Sequence, residues 1–172
     1  EAGIHKNGYT PFWFDITSLL NPAGKSNVIA VKVDNPGRNS RWYSGSGIYR
    51  DVHLIVAPPV HIAPWGVRIT TPETGNDNAV ANVEITTCNE LKAVANAVVR
   101  VNLKDRDGKI AASAKQDISI PGDSERVIRM RLNILNPYLW SVEFPNLYIA
   151  EITVESGKKV TDVLNQNFGI RS

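Results

Sequence analysis

The residue types able to touch a ligand cluster most densely at Arg41, Trp42 and Tyr43, within Ser40-Arg41-Trp42-Tyr43-Ser44-Gly45-Ser46-Gly47. An aromatic face beside a fixed guanidinium can stack on a sugar ring and hydrogen-bond its hydroxyls. The same residues have a second reading, in which Trp42 and Tyr43 fill the base of a Gly-Ser-Gly turn and Arg41 pairs with a carboxylate, as loop aromatics beside glycine commonly do. Asp105 and Asp107 are a tempting carboxylate pair, but Asp105-Arg106-Asp107-Gly108 carries the Asp-Gly chemistry of a tight turn, in which the acids serve the local backbone. Cys88, the one thiol, lies in a run of Val, Ile and Thr and reads as a small core filler with no second cysteine to complete a redox pair. His5, His53 and His61 stand apart without metal-ligand spacing and read as surface or packing residues. The residues thus predict no catalytic group, no metal and no cofactor.

The elements that would position these residues are strands. Alternation with period two recurs in short runs rich in Val, Ile and Thr, separated by turn residues, and no helical period of ordinary length is present. Strands are predicted over Asn27 to Asp34, Val52 to Val56, Gly66 to Thr71, Ala79 to Thr87, Ala97 to Lys104, Ala111 to Ile120, Glu125 to Leu132, Leu147 to Glu155 and Val160 to Phe168. In Asn27 to Asp34 both faces are apolar, which predicts a strand covered on both sides. In Glu125 to Leu132, Ile128, Met130 and Leu132 share a face and Arg129 and Arg131 the other, so the arginines read as a solvated sheet face rather than an anion site. Tyr148, Ala150, Ile152 and Val154 repeat the pattern. Asp107-Gly108 and Ser156-Gly157-Lys158 are predicted tight turns, and Ile16 to Leu20 is at most one helical turn.

Composition narrows the classes of partner. Of 172 residues, 42% are hydrophobic and 21% charged, an ordinary balance for a packed globular chain. The formal charge of +2 arises from 19 basic and 17 acidic side chains spread along the sequence. No Lys/Arg block could follow a phosphate backbone or an anionic lipid surface, so nucleic acid and membrane are not expected partners. No apolar run reaches the ~18 residues of a spanning helix. The sequence opens on Glu1 without an initiator Met or a leader and reads as a segment of a longer protein.

Three stretches, in order, carry a resemblance. Gly8-Tyr9-Thr10-Pro11-Phe12-Trp13-Phe14-Asp15-Ile16-Thr17, then Asn27-Val28-Ile29-Ala30-Val31-Lys32-Val33-Asp34-Asn35, then Trp42-Tyr43-Ser44-Gly45-Ser46-Gly47-Ile48-Tyr49-Arg50-Asp51-Val52 resemble the latter half of the sugar-binding jelly-roll domain of glycoside hydrolase family 2, the β-galactosidases, β-glucuronidases and β-mannosidases. Asn136-Pro137-Tyr138-Leu139-Trp140-Ser141, Pro145-Asn146-Leu147-Tyr148 and Phe168-Gly169-Ile170-Arg171 are similar to the close of that family's immunoglobulin-like domain. Val142 departs from the pattern, since proline often follows Trp-Ser there.

The resemblance implies an all-β chain of two β-sandwich units, a partial jelly roll at 1–58 followed by an immunoglobulin-like sandwich at 59–172, divided at Ala57-Pro58-Pro59, where two prolines forbid continued ladder pairing. It implies a retaining β-glycoside hydrolase as parent, whose acid/base and nucleophile are glutamates of a barrel. Such chemistry needs two carboxyl groups about 5 to 5.5 Å apart, and no acidic residue here lies in a motif resembling the family's catalytic ones. The chain is therefore expected to be inactive alone, with the absent barrel of the same polypeptide as its partner and carbohydrate as the parent's ligand. Arg41, Trp42 and Tyr43 would form one wall of the sugar site, and Trp140 would plug the sandwich or the barrel interface. The rival expectations are a free-standing carbohydrate-binding module, which needs a preformed aromatic groove, and an adhesion-type sandwich, which leaves the ordered motifs unaccounted for.

Overall fold

Alternation becomes a sheet only where a neighbouring strand completes the ladder, and that condition separates the two halves of this chain. The computed structural model describes residues 1–35 and 45–171. It divides into two units, Glu1–His53 and Leu54–Ser172.

In the first unit the sole regular element among the described residues is a 3-10 turn at Thr17–Leu19. It follows Asp15, whose Oδ1 accepts the Thr17 N–H at 2.8 Å. The strands predicted over Asn27 to Asp34 and Val52 to Val56 are not formed. The apolar side chains of the first run are not covered either, with Val28 90% and Ile29 68% exposed. The physical reason is the ladder: an alternating segment supplies two faces, but a β-strand also requires hydrogen bonds from a neighbour. Local polar contacts shape this unit instead. The Asn21 N–H donates to Asn27 Oδ1 at 2.8 Å, the His5 ring stacks on Phe12 at 4.5 Å, and Tyr49 donates its hydroxyl to the Gly8 carbonyl at 3.1 Å.

The second unit is a seven-strand sandwich. Its strands are β1 (Val60–Thr74), β2 (Asn78–Asn89), β3 (Ala95–Lys104), β4 (Ile110–Ile120), β5 (Ser124–Leu135), β6 (Tyr148–Ser156) and β7 (Lys159–Phe168). One sheet has the order β1-β2-β5 and the other β4-β3-β6-β7, with every pairing antiparallel. This three-plus-four arrangement is that of an immunoglobulin-like sandwich. The inward residues of both sheets form one core, including Val83, Ile85, Val99, Val101, Leu103, Ile134, Ile152 and Val154, each buried. Ile128, Met130 and Leu132 point inward as the alternation requires, while Arg129 and Arg131 lie outside.

The turns obey backbone chemistry. Between β3 and β4, Asp105 Oδ1 accepts the N–H groups of Asp107 and Lys109, both at 2.9 Å, and Gly108 takes φ +78°. Between β6 and β7, Gly157 and Lys158 both have positive φ, 59° and 63°, the primed geometry that matches strand twist in a two-residue hairpin. Where the chain passes between sheets, Asn89 is buried and its amide donates to the carbonyls of Ala93, Ile120 and Pro121 at 2.9 to 3.0 Å. That side chain, together with the Asp123 N–H donated to the Leu91 carbonyl at 2.9 Å, closes the β2–β3 and β4–β5 connections against one another.

β1 is longer than its alternation predicts, because a bulge interrupts it. Ile62 faces Thr87 and Val67 faces Ile85, so Ala63, Pro64, Trp65 and Gly66 stand opposite Thr86 alone. A Cβ on Gly66 would lie 2.7 Å from the Ala63 carbonyl oxygen and 2.9 Å from that of Thr86, so only glycine fits. Trp65, with φ +55°, holds a left-handed conformation, which costs an L-residue about 1 to 2 kcal/mol.

Candidate functional site

Arg41, Trp42 and Tyr43 lie outside the described residues. Immediately downstream, Arg50 donates to the Tyr9 carbonyl at 3.3 Å and its guanidinium lies 5.3 Å from the Tyr49 ring centre. Together with the Tyr49 bond to Gly8, these contacts join the first and third of the stretches noted in the sequence.

The stretches of the second unit converge on one end of the sandwich. The Trp140 N–H donates to the Ile170 carbonyl at 2.7 Å, and Trp140 bridges to Pro145. Asn146 donates its side-chain amide to the Leu139 carbonyl at 2.9 Å, and the buried Tyr148 hydroxyl accepts the Tyr138 N–H at 2.9 Å. Burial holds the Tyr148 phenol above its ordinary pKa, which keeps it neutral and able to serve this structural role. Arg106 covers the Tyr138 ring at 4.3 Å and donates to Asn146 Oδ1 at 3.1 Å. A groove of about 420 Å³ opens beside this cluster, lined by Ile69, Thr71, Trp140, Leu147, Phe168 and Arg171 among others. A Cβ on Gly169 would come within 3.1 Å of Trp140 Cβ, so the glycine lets the Trp140 side chain approach the backbone just after β7. The half-buried indole, with the Arg171 guanidinium 5.8 Å from its ring centre, gives the groove an apolar floor and one cationic rim. No carboxylate lines it.

Among the described residues two carboxyls are displaced from their ordinary values, both downward. Glu151 is held below the ordinary glutamate value by the hydrogen bond from Lys104 and then that from Asn102. Asp15 is lowered by its hydrogen bonds with Thr17. Arg129 pairs with Glu84 at 2.7 Å and Arg131 with Glu73 at 2.8 Å, so the arginines of β5 are already partnered across the outer face. The prediction for Cys88 needs correction. Thr87 and Asn89 take the inward positions, and Cys88 lies on the outer face with Sγ 3.6 Å from Glu125 Oε1. Partial burial, then the Glu125 charge, push its thiol up to about 11, the reverse of an activated nucleophile. His61 is buried with Nδ1 2.9 Å from the Pro58 carbonyl, a packing role. Among the described residues no group of three or more His, Cys, Asp or Glu could hold a metal ion, and no helix is long and apolar enough to cross a membrane.

Sequence reasoning missed the Trp65 bulge. The signal was Pro64-Trp65-Gly66, which breaks the alternation between Ile62 and Val67 and could have been read as a bulge by its Gly and Pro.

Comparison with known proteins places these features. The family profile described as Glycosyl hydrolases family 2 matches residues 60–171. Beta-galactosidase BoGH2A of Bacteroides ovatus is 34% identical over the whole of this chain, which covers 20% of that protein. A putative beta-glucuronidase of Formosa agariphila is likewise 34% identical over the whole chain, covering 16% of its length. Among solved structures, a glycosyl hydrolase family 2 member from Bacteroides cellulosilyticus superposes with a TM-score of 0.76 at 31% identity, over 80% of this chain and 19% of the other. The chain thus spans about a fifth of the length of these curated relatives.

Proposed function

Since this chain belongs to glycosyl hydrolases family 2, we propose that it is a non-catalytic segment of a retaining hydrolase of β-glycosides, in which residues 1–58 complete a sugar-binding jelly roll and 59–172 form the immunoglobulin-like domain. The observation that carries this reading is the relation of lengths. Relatives named as β-galactosidase and β-glucuronidase match the chain end to end, while the chain accounts for only 20% and 16% of them.

The partner in this reading is the catalytic barrel of the same polypeptide. The Trp140 groove is the docking surface the sandwich offers it, with a flat indole, exposed Leu147 and the Arg171 cation. The largely exposed apolar side chains of the first unit, Val28, Ile29, Val31 and Val33 among them, likewise suit a segment that is covered in a larger protein. Arg41, Trp42 and Tyr43 contribute one wall of the sugar site.

The purified chain incubated with nitrophenyl β-galactoside, β-glucuronide and β-mannoside is expected to show no turnover, and turnover that survives repeated purification would defeat the proposal. For the wall, Trp42→Ala in a longer family-2 protein carrying this segment should lower kcat/KM while leaving the melting temperature nearly unchanged. A loss of about 3 to 5 kcal/mol of stability with normal kinetics would instead identify a packing residue.

A further inference from the structure

The sheet edges of the sandwich are not alike. β1 carries two register shifts and the prolines Pro64 and Pro72, and β7 carries one shift and turns its Asp162 carboxylate across to β1. Bulges, prolines and side chains laid across an edge keep a strand from pairing further. From Ala112 to Ile118 β4 has none of these. Its register with β3 is unbroken there, it contains no proline, and among the described residues no strand pairs with its second edge.

The direction of its backbone groups can be read from two bonds. The Ser119 carbonyl accepts from the Arg126 guanidinium of β5 at 2.6 Å, and the carbonyl of Asn96, the β3 residue opposite Ser119, accepts from Ser156 of β6 at 3.1 Å. Ser119 therefore turns its N–H and C=O away from β3, and by the period of two so do Asp117, Lys115 and Ser113. The side chains of these residues are exposed, while Ile118 and Ile120 are buried. Lys115 stands opposite Arg100, and like charges directly opposite one another repel. Neither Lys115 nor Asp117 makes an ion pair or side-chain hydrogen bond among the described residues. A lone lysine would guard an edge, but Asp117, two residues away on the same face, makes this edge complementary to itself.

We propose that the β4 edge binds a second copy of this chain, antiparallel about a two-fold axis at Gln116, joining the two four-stranded sheets into one. In this register Lys115 lies opposite the partner's Asp117 and Asp117 opposite the partner's Lys115, and each such pair exchanges both backbone hydrogen bonds through its outward groups. A shift of two residues either way, the next spacing that keeps those groups in phase, sets Lys115 against the partner's Lys115 or Asp117 against the partner's Asp117. On the axis the two Gln116 side chains meet, each with an amide donor and an acceptor to offer. The Arg126 bond to Ser119 ends the ladder beyond Ile118, so the contact is short and belongs to the weak, transient class of interface. It is independent of the reading of the chain as a hydrolase segment.

Sedimentation equilibrium of this chain, loaded from about ten micromolar to about one millimolar to suit so small an interface, tests it. The mean mass should rise from that of one chain towards that of two. Lys115→Asp and Asp117→Lys should each weaken the association about ten-fold or more, because the two-fold axis turns both attractive pairs repulsive at once. The double variant, Lys115→Asp with Asp117→Lys, should restore it, which a variant that had failed to fold could not do. Lys115→Asp also gives Arg100 an opposite charge as its neighbour, so its melting temperature should hold or rise while its association falls. A mass that stays at one chain throughout, an association that either single variant leaves intact, as contact through the exposed apolar residues of the first unit would be, or a double variant as weak as the single ones would each overturn the proposal. None of these results bears on turnover of nitrophenyl glycosides, so the two readings fail separately.

Discussion

Asp162 of β7 accepts the backbone N–H of Ile62 of β1 through Oδ2 at 2.9 Å, linking the edge strands of two different sheets across 100 residues of sequence. Ile62 is buried and its N–H sits just before the bulge, where the ladder to β2 is interrupted. A carboxylate thus supplies the acceptor that the irregular strand lacks, and it fixes one side of the sandwich.

Asp162→Ala should therefore cost about 1 to 3 kcal/mol, the range for a buried donor left unsatisfied. Asp162→Asn retains an oxygen acceptor and should lose less. Urea denaturation of the three proteins checks the order, and equal stability of all three would mean that water replaces the carboxylate freely.

Asn89 plays the corresponding part where the chain changes sheets. Its amide serves three backbone carbonyls from a buried position. Asn89→Ala should destabilise by about 2 to 4 kcal/mol. Asn89→Asp, though nearly isosteric, should be at least as damaging near neutral pH, because a carboxylate would face those same carbonyl oxygens with no hydrogen to offer. Thermal melts at pH 7 compare the two, and an Asp variant as stable as the parent would show that the amide hydrogens do not hold this junction.

The second unit was legible wherever one face of a strand is wet. In β5 and β6 the polar outward residues fix the phase of the alternation, and the inward sets Ile128-Met130-Leu132 and Tyr148-Ala150-Ile152-Val154 could be read directly. Cys88 was misplaced although its phase was available. Val83 and Ile85 point inward, so Thr87 and Asn89 do as well and Cys88 must point out, but a polar pair at core positions hides that parity. In β1 the four-residue bulge resets the phase, which shortened the predicted strand. Asn27 to Asp34 failed for another reason, since a sequence displays the faces of a strand but not whether a neighbour exists to pair with it. The Trp140 groove was half legible: its motifs were visible, but their convergence depends on the Trp140–Ile170 bond between distant segments. Arg41, Trp42 and Tyr43 remain expectations of the sequence.

The chemistry of Cys88 follows from its place. With the thiol pushed up to about 11 by partial burial and by Glu125, little thiolate exists near neutral pH. Alkylation by iodoacetamide at pH 8 should be about a hundred-fold slower than for an unperturbed thiol, rising as the pH approaches that value. Glu125→Gln removes the second cause but not the burial, so it should speed the reaction only in part. Mass-spectrometric rates for both proteins decide this, and a parent rate equal to that of a free cysteine would contradict the assigned environment.

Glu151 gives the molecule a pH dependence of definite sign. On the outer face of the four-stranded sheet it accepts from Lys104 at 2.6 Å and Asn102 at 3.4 Å, and the Lys104 bond is the main reason its carboxyl ionises below the ordinary glutamate value. Because the folded pKa is depressed, the stability this group contributes is fully present above about pH 4.3, the unperturbed value, and is lost as the pH falls through the folded pKa. Both side chains are about 30% exposed, so solvent screening limits the contribution to under about 1 kcal/mol. Glu151→Gln should accordingly be slightly less stable than the parent at neutral pH, and the difference should close on acidification as the parent's carboxyl takes up its proton. Urea midpoints compared at about pH 7, 4 and 2.5 test the sign. A gap that stays constant across that range would assign the loss to packing and hydrogen-bond geometry rather than to the charge, and a gap that widens in acid would reverse the argument.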